Sequence, residues 1–206
     1  MNKFKTIAIA ALSLLCIYTA KAQSFKEPVG YKLKNGMNII ISENDQSPKA
    51  YSSFTLDSKA FGDKKDGVVE LLNAVLNENA GKNPNISFND NSAKLATSSA
   101  DLEKDLVLMG ELIQHATIDK HTFNTAKAKL VMSLKLHDYD YDQTVNENSI
   151  NALTLEDVRS FYRQLSPEKT FLTIAGAVEL NTAKASAKKA FGNWNRKQEP
   201  ALTAAK

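Results

Sequence analysis

The three histidines, His115, His121 and His137, are the side chains of this sequence best able to bind a metal or move a proton near neutral pH. Their spacing matches no metal-ligand pattern. His115 and His121 flank a predicted helix break, where an imidazole is normally solvated. No serine sits in a Gly-x-Ser-x-Gly elbow, which removes the usual setting for a Ser/His/Asp triad. The run Asp138-Tyr-Asp-Tyr-Asp142 begins like a calcium loop. Gln143 stands where the sixth position needs glycine, and Ser149 where the twelfth needs glutamate. It therefore reads as a solvated turn, or as a recognition patch built on its two tyrosines. The most suggestive set is Glu70, Asn73 and Asn77, which a helix would place a turn apart on one face. On pattern alone this is the wet side of an amphipathic helix. Glu70 by itself cannot hold zinc, which takes three protein ligands even at an open site.

The elements that must position these residues follow from the apolar pattern. Residues 31–42 read as a hairpin around Asn35-Gly36, with β-branched residues after the turn. Residues 50–57 alternate as a strand. A polar loop at 62–67 leads to a helix over 67–77, with Asp66 placed to cap it. Val68, Leu71, Leu72, Val75 and Leu76 form its apolar stripe; Asp66, Glu70, Asn73 and Asn77 form the polar one. Residues 78–91, rich in asparagine and carrying Gly81 and Pro84, are predicted to be mostly loop.

A strand is predicted over 93–99, then helices over 101–116 and 120–136. Leu102, Leu106, Met109, Leu112 and Ile113 line the first of these; Phe123, Leu130, Val131 and Leu134 line the second. After a polar stretch at 137–148, Thr154-Leu-Glu-Asp157 opens a helix as a capping box, and Ser166-Pro167 closes it. A strand over 170–175 and a helix over 181–191 follow. The order describes an α+β fold: a two-layer sandwich of a mostly antiparallel sheet packed by helices, in one domain over residues 23–196, with 197–206 a disordered tail.

Residues 1–22 are built as an export signal. Lys3 and Lys5 precede an apolar run at 7–18, and Ala20-Lys21-Ala22 supplies small residues for cleavage after Ala22. That run is short for a bilayer span, and no later segment approaches the needed length. Leu15 ahead of the sole cysteine, Cys16, argues against a lipid anchor. The expected location is the periplasm or the cell exterior. Lys3, Lys5 and Lys21 leave with the signal, so the 26 basic residues fall to 23 against 23 acidic ones. A neutral chain gives no footprint for nucleic acid or an anionic membrane. Without Cys16 there is neither a disulfide nor a thiol nucleophile.

The segment Gly67-Val-Val-Glu-Leu-Leu-Asn-Ala-Val-Leu76 resembles the motif helix of the inverted-zincin peptidases (pitrilysin, insulinase, mitochondrial processing peptidase). Their signature is His-x-x-Glu-His, two zinc-binding histidines around a glutamate that activates the bound water. Other segments are similar in the same order: Leu33-Lys-Asn-Gly36; Thr154-Leu-Glu-Asp-Val158 through Phe161-Tyr162; Pro167; Leu172-Thr-Ile-Ala-Gly176; and Ala190-Phe-Gly-Asn-Trp194. They span nearly all of the chain after the signal. The resemblance implies one insulinase-like half-domain whose motif positions are Glu70, Asn73 and Ala74. It also implies a third ligand, a glutamate on a later helix, but no glutamate occurs between Glu111 and Glu147. No catalytic residue, metal ligand or cofactor is therefore assigned.

The resulting expectation is a non-catalytic member that binds peptide or completes a peptidase assembly, with a related and motif-bearing half as its partner. The alternative is a zinc-dependent metallopeptidase, or a subunit of one, using ligands outside the motif. An extended peptide is expected along the strand at 93–99, taken as the sheet edge. Glu70, Asn77, Ala96, Thr97 and Ser98 are the candidate contacts.

Overall fold

The computed structural model describes residues 26–136 and 144–195. The proposed export signal, the tail at 197–206, and His137 with the run at 138–142 lie outside these residues. The predicted hairpin is β1 (Val29–Lys32) and β2 (Asn38–Glu43), antiparallel with Val29 opposite Ile41. Gly36 takes φ +93° at the turn. Asn35 reaches much further. Its Nδ2 donates to the carbonyls of Phe191 at 2.7 Å and Trp194 at 2.9 Å, tying this turn to the end of the last helix.

β3 (Ala50–Leu56), β4 (Ile86–Asn89), β5 (Ser92–Thr97) and β6 (Thr170–Gly176) complete a six-stranded sheet in the order β1-β2-β6-β3-β5-β4. Only β2 and β6 run parallel. Along β3 and β6 every second residue is buried, so one face of the sheet carries the core. α2 (Leu102–Gln114) and α6 (Leu180–Phe191) lie against that face and each other, and α1 (Val68–Ala80) flanks β4. α3 (Lys120–Leu136) and α5 (Leu155–Arg163) pack on α1, and the short α4 (Glu147–Ala152) packs on α3. Phe54 stacks on Phe191 at 5.7 Å between centroids, with Trp194 at 5.9 Å from Phe54. This cluster stands directly under the Asn35 bonds. On the opposite face Ile40, Tyr51, Ser87 and Lys94 are exposed. Among the described residues no helix is long and apolar enough to cross a membrane.

Several local expectations change. Asp66 does not cap α1: Gly67 holds that position at φ +80° with no side-chain cap. A Cβ on Gly67 would come within 2.5 Å of Ile150 Cδ1, so glycine lets α4 settle over the start of α1. α1 runs on to Ala80, where Gly81 ends it, and the predicted loop at 78–91 contains β4. Ile86 and Phe88 bury their side chains on alternate positions, but four residues among asparagines and a proline leave too short a period to read. The polar stretch at 137–148 likewise hides the start of α4, which Asn146 and Ser149 open as a reciprocal capping box. The box predicted at Thr154 is present: Asp157 N donates to Thr154 Oγ1 at 3.2 Å, and Thr154 N to Asp157 Oδ2 at 2.9 Å. The largest correction concerns the sheet edge. β5 lies between β3 and β4, so it is interior, and the edge beside α1 is β4.

Candidate functional site: the α1 polar row and the β4 edge

The apolar stripe of α1 is buried as its spacing requires, joined by Val69. In the opposite row Asn73 and Asn77 meet the β4–β5 hairpin rather than free solvent. Glu70 and Asn77 are half-buried, and Asn73 is only 9% exposed. Asn73 Nδ2 donates to the carbonyl of Asp90 at 2.6 Å, in the hairpin turn. Asn77 makes a two-point contact with one residue: Nδ2 donates to Phe88 O at 2.8 Å, and Phe88 N donates to Asn77 Oδ1 at 2.9 Å. Asn79 repeats this further along. It accepts from Thr117 N at 2.7 Å and donates to Thr117 O at 3.1 Å. The asparagines of α1 are thus spent on main-chain groups that would otherwise lack partners.

The remaining candidates do not join this row. Ala96 points to the face away from the helices, and its N–H donates to Asn85 O at 3.0 Å. Thr97 is buried at 4% exposure, and its hydroxyl donates to Asp105 Oδ2 at 2.6 Å. Main-chain directions alternate along a strand, so the N–H of Thr97 faces β3, opposite Ala50, and not solvent. Ser98 lies past the strand, its hydroxyl donating to Asp101 Oδ2 at 2.7 Å ahead of α2. The candidate contacts therefore fall in four different places, and Thr97 is not on the surface at all. Ala74 is half-buried against the core and offers no donor atom.

Asp105 is a residue that the sequence reading missed. It is 5% exposed and accepts from both Thr97 Oγ1 and Asn85 Nδ2, the latter at 2.9 Å, so it pins the end of β5 and the lead into β4 to α2. The available signal was its place between Leu102 and Leu106 on an apolar stripe.

On the other flank of α1, Lys65 Nζ lies 2.6 Å from Asp157 Oδ1. That ammonium, with the Thr154 N–H and hydroxyl, holds the Asp157 carboxyl down to about 2. His115 pairs with Glu111 at 3.7 Å across an exposed turn, and His121 is exposed beside Glu78, Asn79 and Thr117. Among the described residues, no three His, Cys, Asp or Glu side chains converge as a metal site would need.

No family model matches this sequence, and no curated protein does. Solved structures do match. A protease from Helicobacter pylori superposes with a TM-score of 0.70 at 15% identity, over 86% of this chain and 53% of that one. The inactive domain of a peptidase M16 from Pseudomonas fluorescens gives 0.66 at 16%, over 85% and 53%. The first half of the periplasmic protease PqqL from Escherichia coli gives 0.66 at 12%, over 84% and 47%. The chain spans about half the length of these neighbours. At such identities the likeness speaks for architecture, and the architecture is that of an insulinase-like half-domain.

Proposed function

We propose that this chain is a non-catalytic, exported insulinase-like half that completes a peptidase assembly by pairing with a related, motif-bearing half. The observation that carries this reading is the use to which α1 puts its polar row. Zinc chemistry at the motif positions needs nitrogen donors and a free carboxylate on one face. Here Glu70 is one carboxylate, the Asn73 amide is engaged with Asp90, and Ala74 is a methyl group. This donor set does not fit zinc, so no step through a metal is derived.

Two further features support pairing. Among the described residues no element covers the face of the sheet away from the helices, where Ile40 is 39% exposed and Tyr51, between Ala96 and Ala175, is 45% exposed. The chain also matches about half of the first half of PqqL and about half of an M16 domain described as inactive. Export to the periplasm or exterior rests on residues 1–22, and the periplasmic location printed for PqqL agrees with it. An extended peptide, if the assembly holds one beside α1, would meet β4 rather than β5, because β4 is the edge.

The test is elemental analysis of the purified protein after dialysis against a weak chelator, together with an unfolded-peptide cleavage assay. The expected result is no stoichiometric zinc and no cleavage. About one zinc per chain with cleavage would replace this reading by that of a metallopeptidase using other ligands. The pairing arm predicts that the tagged protein, purified from its native host, brings down a relative carrying an intact His-x-x-Glu-His helix.

A further inference from the structure

The edge of a sheet normally leaves one row of main-chain groups open to another strand. Ala96 N donates to Asn85 O, so Asn85, Ser87 and Asn89 turn their main chain toward β5. Alternation then points the main chain of Ile86 and Phe88 outward. Both outward groups of Phe88 are already taken by the Asn77 amide, at 2.9 and 2.8 Å. A primary amide carries an acceptor and a donor side by side, as an extended residue of a neighbouring strand does. One turn back on α1, Asn73 takes the Asp90 carbonyl at the hairpin tip. Pro84, before β4, has no N–H to offer.

We propose that Asn77 stands in for an incoming strand, so that the β4 edge is occupied by the protein's own helix and admits an extended segment only when that amide is displaced. The inference rests on the reading that the assembly holds an extended peptide beside α1, and it names the residue that controls access. β4 does not need Asn77 to be placed, since it is paired along its length with β5 and buries Ile86 and Phe88. The amide is an addition to that packing, aimed at the one residue in mid-strand where a partner would dock. With Phe88 engaged, the outward main chain of Ile86 alone is too short to hold a strand.

The experiment has two arms, run on the protein and on Asn77→Ala. Amide exchange by NMR reads the lock directly: in the variant the Phe88 N–H is expected to exchange about tenfold faster or more, roughly 1.4 kcal/mol of protection, while Ser87 and Asn89, which face β5, keep theirs. Fluorescence anisotropy with a fluorescein-labelled eight-residue peptide of alternating threonine and lysine reads access, and the variant is expected to bind it at least tenfold more tightly. Asn77→Asp keeps the acceptor for Phe88 N and loses the donor, so Phe88 exchange should stay slow while peptide binding falls between the other two. Unchanged Phe88 exchange in Asn77→Ala overturns the proposal. Equal peptide affinity for both proteins also overturns it, while leaving peptide binding itself standing. Raised exchange with no peptide bound to either protein removes the peptide-holding role as well, because the opened edge would then have no taker.

Discussion

The two edges of the sheet are built from strands of equal length and are protected in different ways. On β1, Leu33 N donates to Met37 O, so the main chain of Gly30 and Lys32 faces outward. Among the described residues no helix side chain bonds to that main chain, although Lys184 of α6 lies over the Tyr31 ring. The edge's defence is a charged side chain and a strand of four residues. β4 is as short, but α1 runs alongside and closes it with Asn77 and Asn73. An edge left to solvent tolerates change at its side chains. An edge sealed by a helix makes those side chains part of the sheet.

That contrast can be broken first from behind. Leu72 is 1% exposed in the core beneath the β4 side, and Leu72→Ala should cost about 2–5 kcal/mol in denaturant unfolding. A loss below about 1 kcal/mol would mean that α1 does not carry the burial assigned to it. The edges themselves are compared by Asn77→Ala and Lys32→Ala. The first removes two hydrogen bonds to Phe88, at about 0.5–1.5 kcal/mol each, and is expected to cost about 1–3 kcal/mol; the second should stay within about 0.5 kcal/mol. Equal effects would erase the distinction between a sealed and an open edge.

Acid sharpens the comparison on the α1 side. Asp157 is held down to about 2 by Lys65, which anchors the loop entering α1. Its folded value lies below the unfolded value near 3.9. The pair therefore contributes fully above about pH 4, and the contribution is lost as pH falls toward 2. Lys65 is well exposed, which limits the contribution to about 0.2–1 kcal/mol. Lys65→Met should lower the melting temperature at pH 7 and converge with the parent near pH 2; a gap that widens in acid would reverse the sign. The smallest effect is expected at Glu70, in the same row as the two asparagines but with no main-chain partner assigned to it. Glu70→Ala should change stability by less than about 0.5 kcal/mol in the same unfolding assay.

Elements with a clean period were legible in the sequence. The Asn35-Gly36 hairpin, the buried stripe of α1, the bounds of α3 and the Thr154 box all stand where pattern placed them. The sheet edge was not legible, because strand order depends on long-range pairing that no local pattern encodes. β4 in particular has only Ile86 and Phe88 to announce it. The asparagines of α1 were readable as a polar row, but a polar row facing water and one facing a strand edge look the same in one dimension. Asn35 shows the same limit: its place in a turn was evident, and its bonds to Phe191 and Trp194, more than 150 residues away, were not.

The strand that unites the sheet is the last one among the described residues. β6 lies between β2 and β3, so without residues 170–176 the sheet is two separate pieces, β1-β2 and β3-β5-β4. Each piece would expose an inner edge, and the turn at Asn35 would lack the sheet that sets it against Phe191 and Trp194. Assembly must therefore wait for late residues and close loops of more than a hundred residues, which makes for slow folding. Until residues 170–176 have been made, every strand that precedes them has to wait in one of two unjoined pieces.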